Sequence, residues 1–519
     1  MSLLKNFATV GGATATSRIL GFVRDVFIAG ALGTGPIADA FFVAFRFPNL
    51  FRRLFAEGAF NSAFVPLYAR SLEGEGEDAA RRFGEEALSA LLTALLIFTA
   101  LAEIAMPILM YVMAPGFVSD PEKFDLTVFL TRIAFPYLLC MSMVALLSGV
   151  LNSLGRFAAA AAAPVLLNVI LIAVLAGLFL AGERANILSG QALAWGVAAA
   201  GAAQLAMLAV AARRAGMAFR LVRPRLSPKV RRLVRLGVPG LIAGGVTQFN
   251  IVIGTIIASL QAGAVSYLYY AERIYQLPLG VVGIAIGIVL LPELSRRLRA
   301  GNEDLALRSQ NRSLEFAALL TLPAAAALAV AAHPIVQVLF ERGAFTQGDI
   351  APTALALIAF SAGLPAFVAI KVFSPGFFAR EDTRTPMNYA IIGVAVNVAG
   401  SLALYQPLGH VGIAIATTLS GWVNAALLVS TLGRRGHFTL TREEAGRLAR
   451  ICLSALAMAA MVWLAAQLLA PWLGAESTAL RASALALLVV LGAAIYIAAT
   501  HVSGGADLRA IRDMLTRRT

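Results

Sequence analysis

Long apolar segments without Asp, Glu, Lys or Arg dominate the pattern of hydrophobic and polar positions in this chain. Each reaches the roughly 20 residues that an α-helix needs to cross the hydrocarbon core of a bilayer. Two segments are too long for one helix, and turns at residues 261–264 and 406–409 are predicted to divide each of them. These segments are 236–271 and 387–433, and the single-helix segments are 157–182, 185–212, 316–340, 350–370, 451–475 and 482–506.

Four more segments complete the pattern, and the first two of them carry charges within their apolar sequence. The first is expected to be a retained helix and not a signal peptide, because Arg18 and Arg24 interrupt it and no small-residue cleavage site follows. The pattern predicts an all-α polytopic membrane protein with fourteen transmembrane helices. The four segments are 8–33, 36–69, 87–114 and 126–152.

Composition supports the membrane assignment. The 519 residues are 59% hydrophobic and 13% charged, with a mean hydropathy of +0.81. A soluble protein of this composition would lack the polar side chains to cover its surface, so soluble enzymes and nucleic-acid-binding domains are excluded despite a net charge of +14. The two cysteines, Cys140 and Cys452, lie in apolar runs, which excludes a disulfide framework and a cysteine metal cluster.

The distribution of the 42 Lys and Arg residues predicts the orientation. With the N-terminus in the cytoplasm, thirty lie in cytoplasmic segments, nine of them in 213–235, where contact with anionic lipid headgroups is expected. The tail 505–519 has the pattern of a cytoplasmic amphipathic helix. Four lie in outside loops: Lys123, Arg184, Arg342 and Arg481. Eight remain within predicted helices: Arg18, Arg24, Arg46, Arg52, Arg53, Arg132, Arg273 and Lys371.

A weak internal repeat divides the chain. Arg46 and Arg273 match at an offset of 227, and Arg156 and Arg384 match at an offset of 228. A proline motif near residue 66 recurs 226 residues later. Six helices per copy is an even number, so the two copies form a parallel pseudo-repeat, a frame that suits a transporter. The predicted domains are an N-lobe at 1–215, a C-lobe at 216–436, two extra helices at 437–504 and the tail at 505–519.

Charges in the first two helices are the main functional signal. Arginine at mid-bilayer costs about 2.5–3.5 kcal/mol, so these side chains must face water, protein or a ligand. The first helix carries Arg18, Arg24 and Asp25, and the second carries Asp39, Arg46, Arg52, Arg53 and Glu57. One interpretation is that arginines and acids pair to hold the helices together. The other is that the two surplus positive charges, with Arg273 of the second lobe beside Glu272, line a hydrated cavity for an anion such as phosphate.

Several runs carry a specific resemblance. SRILGFVRD from Ser17 and DAFFVAFRFPNLFRRLFAEGAF from Asp39 closely resemble the MurJ/MviN family of lipid II flippases, within the multidrug/oligosaccharidyl-lipid/polysaccharide exporter superfamily. Further similar runs are APGF from Ala114, YYAERIYQLPLGVVG from Tyr269, FERGAFT from Phe340 and KVFSPGFFAREDTRTP from Lys371.

The resemblance implies alternating-access flipping of lipid II, the undecaprenyl-pyrophosphate-linked peptidoglycan precursor, across the bacterial inner membrane. It also implies that the two extra helices form a groove for the lipid tail. By the same resemblance, the substrate-binding residues are Arg18, Arg24, Arg52, Arg273 and Asp39. Gating or supporting residues are expected to be Ser17, Asp25, Arg46, Asn49, Arg53, Glu57 and Glu272.

No cofactor is expected, and the energy source stays open between the membrane potential and an ion gradient. The family's sodium site uses an acid in the seventh helix, but 236–262 contains none, so Asn397, Thr417 and Thr418 are weak candidates whose alternative role is interhelical hydrogen bonding. Expected partners are lipid II, the bilayer and cell-wall synthesis proteins.

Two rival functions are weighed against this interpretation. An exporter of another polyprenyl-linked glycan or of drugs is the nearest, although drug exporters mostly need acids and this cavity has surplus arginine. A membrane enzyme is disfavoured, because the four histidines have no metal-ligand spacing. Glu341, Arg342 and Asp349 are expected to be solvated turn residues.

Overall fold

The computed structural model describes residues 3–53 and 60–505, and these residues form helices joined by short turns. Glu57 and the predicted amphipathic helix after residue 505 lie outside the described residues. Ten helical segments of the described chain are long and apolar enough to cross a membrane. The chain is therefore an all-helical, polytopic membrane protein.

The chain divides into two compact units, of which unit 1 comprises Met1–Ser266 and Arg342–Phe345. In unit 1, α1 packs on α8, α8 on α9, α9 on α7, and α2 on α6. A 3-10 turn, Pro115–Ser119, precedes α6. The helices are α1 Leu3–Leu32, α2 Pro36–Arg52, α3 Phe60–Glu75, α4 Glu77–Ile104, α5 Met106–Met113, α6 Pro121–Ala134, α7 Tyr137–Ser153, α8 Ala158–Ala181, α9 Ile187–Arg214 and α10 Pro228–Ser259.

Unit 2 comprises Tyr267–Glu341 and Thr346–Thr519. Within it α16 packs on α17, α12 on α18, and α18 on α20. Its helices are α11 Ala264–Arg299, which begins in unit 1, α12 Glu303–Val330, α13 Ala332–Phe340, α14 Gln347–Ser361, α15 Leu364–Phe378, α16 Arg384–Leu408, α17 His410–Arg434, α18 Arg442–Leu468, α19 Ala470–Leu473 and α20 Thr478–Ser503.

Both predicted turns are confirmed. Helix α10 ends before Gly263, and α16 ends before Gly409; both glycines have positive φ, of 75° and 55°. Some segments that were predicted to be single helices are divided in the structure, including 87–114, 126–152 and 350–370. These breaks come at or just before Pro107, Pro136 and Pro365. Proline lacks the amide hydrogen that would continue the first helix, but it fits the first turn of the next.

Candidate functional site

Arg24 of α1 lies at the centre of a buried polar cluster in unit 1. Its side chain donates through Nε and Nη2 to Asp25 Oδ1, at 3.0 and 2.8 Å, and through Nη1 to Asn168 Oδ1 at 2.9 Å. The guanidinium carbon lies 5.6 Å from the centroid of the Phe45 ring. Arg24 is 6% exposed and Asp25 1%. The cluster thus fixes a guanidinium inside an apolar helix bundle.

Asn168 of α8 holds this cluster to the first helix. Its Nδ2 donates to the Ser17 carbonyl oxygen at 2.9 Å and lies 3.4 Å from Ser17 Oγ. A Cβ added at Gly21 would lie 3.6 Å from Asn168 Nδ2, so the small residue lets α8 approach α1 closely. Sequence reasoning missed Asn168. The available signal was its position as the lone polar side chain in an apolar helix, where such groups mark function.

The second helix presents its arginines in different settings. Arg46 Nη1 donates to Thr255 Oγ1 of α10 at 3.4 Å, and Arg52 Nε donates to Asn49 Oδ1 at 3.1 Å. Asn49 in turn donates to the Phe45 carbonyl at 2.7 Å, which fixes its amide on the surface of α2. Arg53 is exposed. In α1, Arg18 is likewise exposed while Ser17 is half-buried.

Asp39 lies at the centre of a second buried polar cluster of unit 1. Its carboxylate is fully buried and pairs with Lys123 Nζ at 2.8 Å. It also accepts from the Gly263 and Ser266 amides at 2.9 and 3.0 Å, and from Ser266 Oγ at 2.6 Å. Four donors from α6 and the α10–α11 turn therefore converge on one carboxylate.

Lys123, which the charge distribution assigns to an outside loop, is part of a helix in the structure. Lys123 lies in the first turn of α6, is 7% exposed, and places Nζ 3.8 Å from the Phe117 ring centroid. Asp120 caps this helix by accepting from the Lys123 amide at 3.2 Å. The APGF run contributes twice, because the Gly116 amide also donates to Ser259 Oγ at 3.1 Å. Loop assignment from charge failed here because a buried partner, Asp39, compensates the ammonium.

In unit 2, Arg273 is held by residues one turn away on its own helix. Its guanidinium carbon lies 4.7 Å from the Tyr269 ring centroid, and Nη2 donates to the Tyr269 hydroxyl at 3.1 Å. Nη1 reaches Gln276 Oε1 at 3.4 Å, and Gln276 donates to Glu272 Oε1 at 2.7 Å. The three- and four-residue spacings put these groups on one face of α11.

The weak sodium candidates form hydrogen bonds between helices of unit 2. Thr417 Oγ1 of α17 donates to Asn397 Oδ1 of α16 at 3.2 Å, and Thr418 Oγ1 donates to the Ala359 carbonyl of α14 at 2.7 Å. Ser401 Oγ also lies 3.5 Å from Asn397 Oδ1. This geometry favours the interhelical role weighed above.

The expectation of solvated turn residues near 341–349 is wrong for two of them. Glu341 is 19% exposed in its side chain and forms an ion pair with Arg481 at 2.6 Å, which joins α20 to the end of α13. Asp349 is half-buried and accepts from the Thr346 amide at 2.7 Å as part of a capping box. Both acids thus have structural partners. Arg481, which the charge distribution assigns to an outside loop, lies in α20 and pairs with Glu341.

The fold defines the class of the protein. A solved structure of a multidrug resistance MATE family transporter of the MOP superfamily matches with a TM-score of 0.64 at 16% identity, covering 81% of this chain and 94% of that one. A structure of lipid II flippase MurJ in an inward closed conformation matches with a TM-score of 0.78 at 23% identity, covering 95% and 98%. The chain thus shares the fold of these two solved proteins.

Sequence comparison then gives the family. The family model "Lipid II flippase MurJ" matches residues 28–483. A probable lipid II flippase MurJ from Rhizobium meliloti (strain 1021) is 54% identical, covering 100% of this chain and 97% of the relative. The lipid II flippase MurJ of Burkholderia cenocepacia is 34% identical, covering 97% and 98%. The chain belongs to the MurJ family of lipid II flippases, which are transporters and not enzymes.

Proposed function

We propose that this chain flips lipid II from the cytoplasmic to the periplasmic leaflet of a bacterial inner membrane by alternating access, as peptidoglycan biosynthesis requires. Family membership supports the substrate class. The observation that carries the proposal is the buried Arg24 cluster, because a guanidinium inside an apolar bundle is costly without a function. A pyrophosphate is the anionic part of lipid II that such a group would bind.

The geometry supports a competition at Arg24. Asp25 occupies the Nε and Nη2 edge of the guanidinium, the edge that a phosphate also uses in a bidentate contact. Asn168 holds Nη1 and so keeps the guanidinium oriented when Asp25 is displaced. Arg18, Arg52 and Arg273 are proposed as further ligands of the pyrophosphate. A ligand that displaces Asp25 in one state only would shift the equilibrium between inward and outward states.

The lobes and the lipid tail complete the proposal. Of fourteen transmembrane helices, twelve form two six-helix lobes at 1–215 and 216–436, which are related by a parallel repeat, and both termini lie in the cytoplasm. The two extra helices at 437–504 help to hold the polyprenyl tail. An apolar groove of about 410 Å³ between α12, α18 and α20 supports this role, with Leu320, Val462 and Leu488 among its lining residues.

The membrane potential is the proposed source of energy for transport. Moving one charge across 100 mV corresponds to about 2.3 kcal/mol, so a cationic cavity responds to the membrane potential. Collapse of the potential at a constant sodium gradient is expected to stop transport, whereas arrest only by loss of an ion gradient would favour ion coupling. Cell-wall synthesis proteins are proposed as partners that use the flipped precursor.

Depletion of the protein tests the function. The lipid-linked precursor is expected to accumulate in the cytoplasmic leaflet, measured by its accessibility to a membrane-impermeant reagent added outside spheroplasts. Re-expression restores outside accessibility. An unchanged distribution of the precursor after depletion would refute the proposed function.

A further inference from the structure

Two helix ends of unit 1 meet where the chain is rich in basic residues. Helix α7 ends in a turn at Gly155, φ +70°, in which the Arg156 amide bonds back to the Leu151 carbonyl at 2.8 Å. Helix α9 ends in the same way at Gly216, φ +86°. Only a residue that tolerates positive φ allows this six-to-one bond. The first turn directs Arg156 over the end of α9, where its Nη1 donates to the Arg214 carbonyl at 3.2 Å.

A groove of about 780 Å³ opens beside these two arginines. Apart from Thr9 and the arginines, its lining is apolar and includes Leu151, Met207 and Val210. Among the described residues, no carboxylate lines it. Arg156 and Arg214 are both exposed. The groove therefore has a cationic head and an apolar body.

The corresponding helix ends of unit 2 differ in charge. Arg435, which follows α17, forms an ion pair with Asp382 at 2.7 Å and donates to Thr385 Oγ1 at 3.3 Å. Asp382 lies between α15 and α16, close in sequence to Arg384, the residue that matches Arg156 in the repeat. The arginine at this end of unit 2 thus has a carboxylate of the same unit as its partner, whereas no carboxylate lines the unit 1 groove among the described residues. An anion from outside the chain would complete the unit 1 site.

We propose that this groove binds one anionic phospholipid of the adjacent leaflet, a ligand distinct from the transported lipid. Its phosphate lies between the Arg156 and Arg214 guanidinium groups, and one acyl chain lies along Leu151, Met207 and Val210. Guanidinium groups bind phosphate oxygens strongly, and the apolar wall gives the acyl chain of the lipid an apolar surface to pack against. The site goes beyond lipid II transport and anchors the α7–α9 end of unit 1 to the bilayer.

Native mass spectrometry of the purified full-length protein tests the site, with dioleoyl-phosphatidylglycerol and dioleoyl-phosphatidylcholine as probes. The double variant Arg156→Ala/Arg214→Ala is expected to bind the first phosphatidylglycerol about a hundredfold more weakly, as expected for losing two charge-assisted contacts at about tenfold each. The matched control Arg213→Ala removes an adjacent charge that lines a different groove, with Leu88 and Met217, and is expected to keep the lipid. Equal losses in both variants, or equal binding of the two lipids, would overturn the proposal.

A groove-filling variant separates a lipid from a free phosphate. Ala206→Phe keeps both arginines and fills the apolar body, so it is expected to lower phosphatidylglycerol binding about as much as the double variant. The groove would instead be a phosphate site under two conditions. Glycerol phosphate would compete for it as effectively as phosphatidylglycerol does, and Ala206→Phe would leave binding unchanged. One-for-one displacement by lower concentrations of undecaprenyl phosphate would assign the groove to the transported class of lipid.

Discussion

Asp25 and Asp39 are both buried carboxylates of unit 1, but their partners differ in kind. Asp39 accepts from Lys123 and from three donors at the α10–α11 turn, none of which the predicted anion site contains. Asp25 accepts hydrogen bonds from Arg24, the residue that is proposed to bind the substrate pyrophosphate. One acid therefore holds helices of the fold together, whereas the other pairs with the guanidinium that is proposed to bind the anion.

This difference separates two roles for the charges in the first two helices. Loss of Asp39 is expected to act through stability, because it strands a buried ammonium. Loss of groups around Arg24 is expected to act through transport.

Asp39→Ala has the largest expected effect on folding. It leaves Lys123 buried without its carboxylate and removes four hydrogen bonds, so the free energy of unfolding is expected to fall by about 3–5 kcal/mol. Denaturant unfolding of the purified protein measures this loss. The double variant Asp39→Ala/Lys123→Met should recover part of it. Wild-type stability of Asp39→Ala together with lost transport would instead place Asp39 in the substrate site.

Asn168→Ala tests the other half of the comparison. It removes the amide that orients Arg24, so transport is expected to fall about tenfold, the equivalent of one hydrogen bond to a charged group. Gln204→Ala is the matched control, because the buried Gln204 amide of α9 donates to the Ala163 carbonyl of α8, the helix that carries Asn168. The two variants should lose similar stability, but only Asn168→Ala should lose transport. Similar transport in both would show that Asn168 is structural.

Gly116→Ala probes the support of the Asp39 site. The added Cβ would clash with the Ser259 carbonyl oxygen, so the 3-10 turn must move, at a cost of about 1–3 kcal/mol. Gly177→Ala serves as the control, since a Cβ there meets no atom within 4 Å. The measurement is again denaturant unfolding. An unchanged stability of Gly116→Ala would mean that the turn packs less tightly than described.

The ion pair of exposed Arg435 with half-buried Asp382 gives the smallest expected effect. The hydrogen bond from Arg435 lowers the pKa of Asp382 to about 2 from its usual 3.8. The pair therefore stabilises the protein fully above about pH 4 and loses this contribution as the pH falls towards 2. The contribution is expected to be below about 1 kcal/mol. Unfolding of Arg435→Ala at pH 7 and pH 3 measures it, and a larger difference from the parent protein at pH 3 would contradict this sign.

Much of the fold was predictable because apolar length is a strong signal. The turn at Gly263 and the polytopic class followed from it, and the buried Arg24 was visible as a charge in an apolar helix. Asn168 and the Asp39–Lys123 pair were not predicted. They depend on contacts between helices distant in sequence, here 84 residues for the ion pair, and helical periodicity reports only faces of one helix.

The most direct test of the central claim replaces Arg24 in cells depleted of the parent protein. Arg24→Ala and Arg24→Lys, expressed at parental levels, are expected to leave lipid II in the cytoplasmic leaflet, because neither can keep both the Asn168 and the bidentate anion contacts. Arg132→Ala, which removes an exposed arginine of α6, should restore normal outside accessibility. Parental translocation by both Arg24 variants would contradict an arginine site for the pyrophosphate.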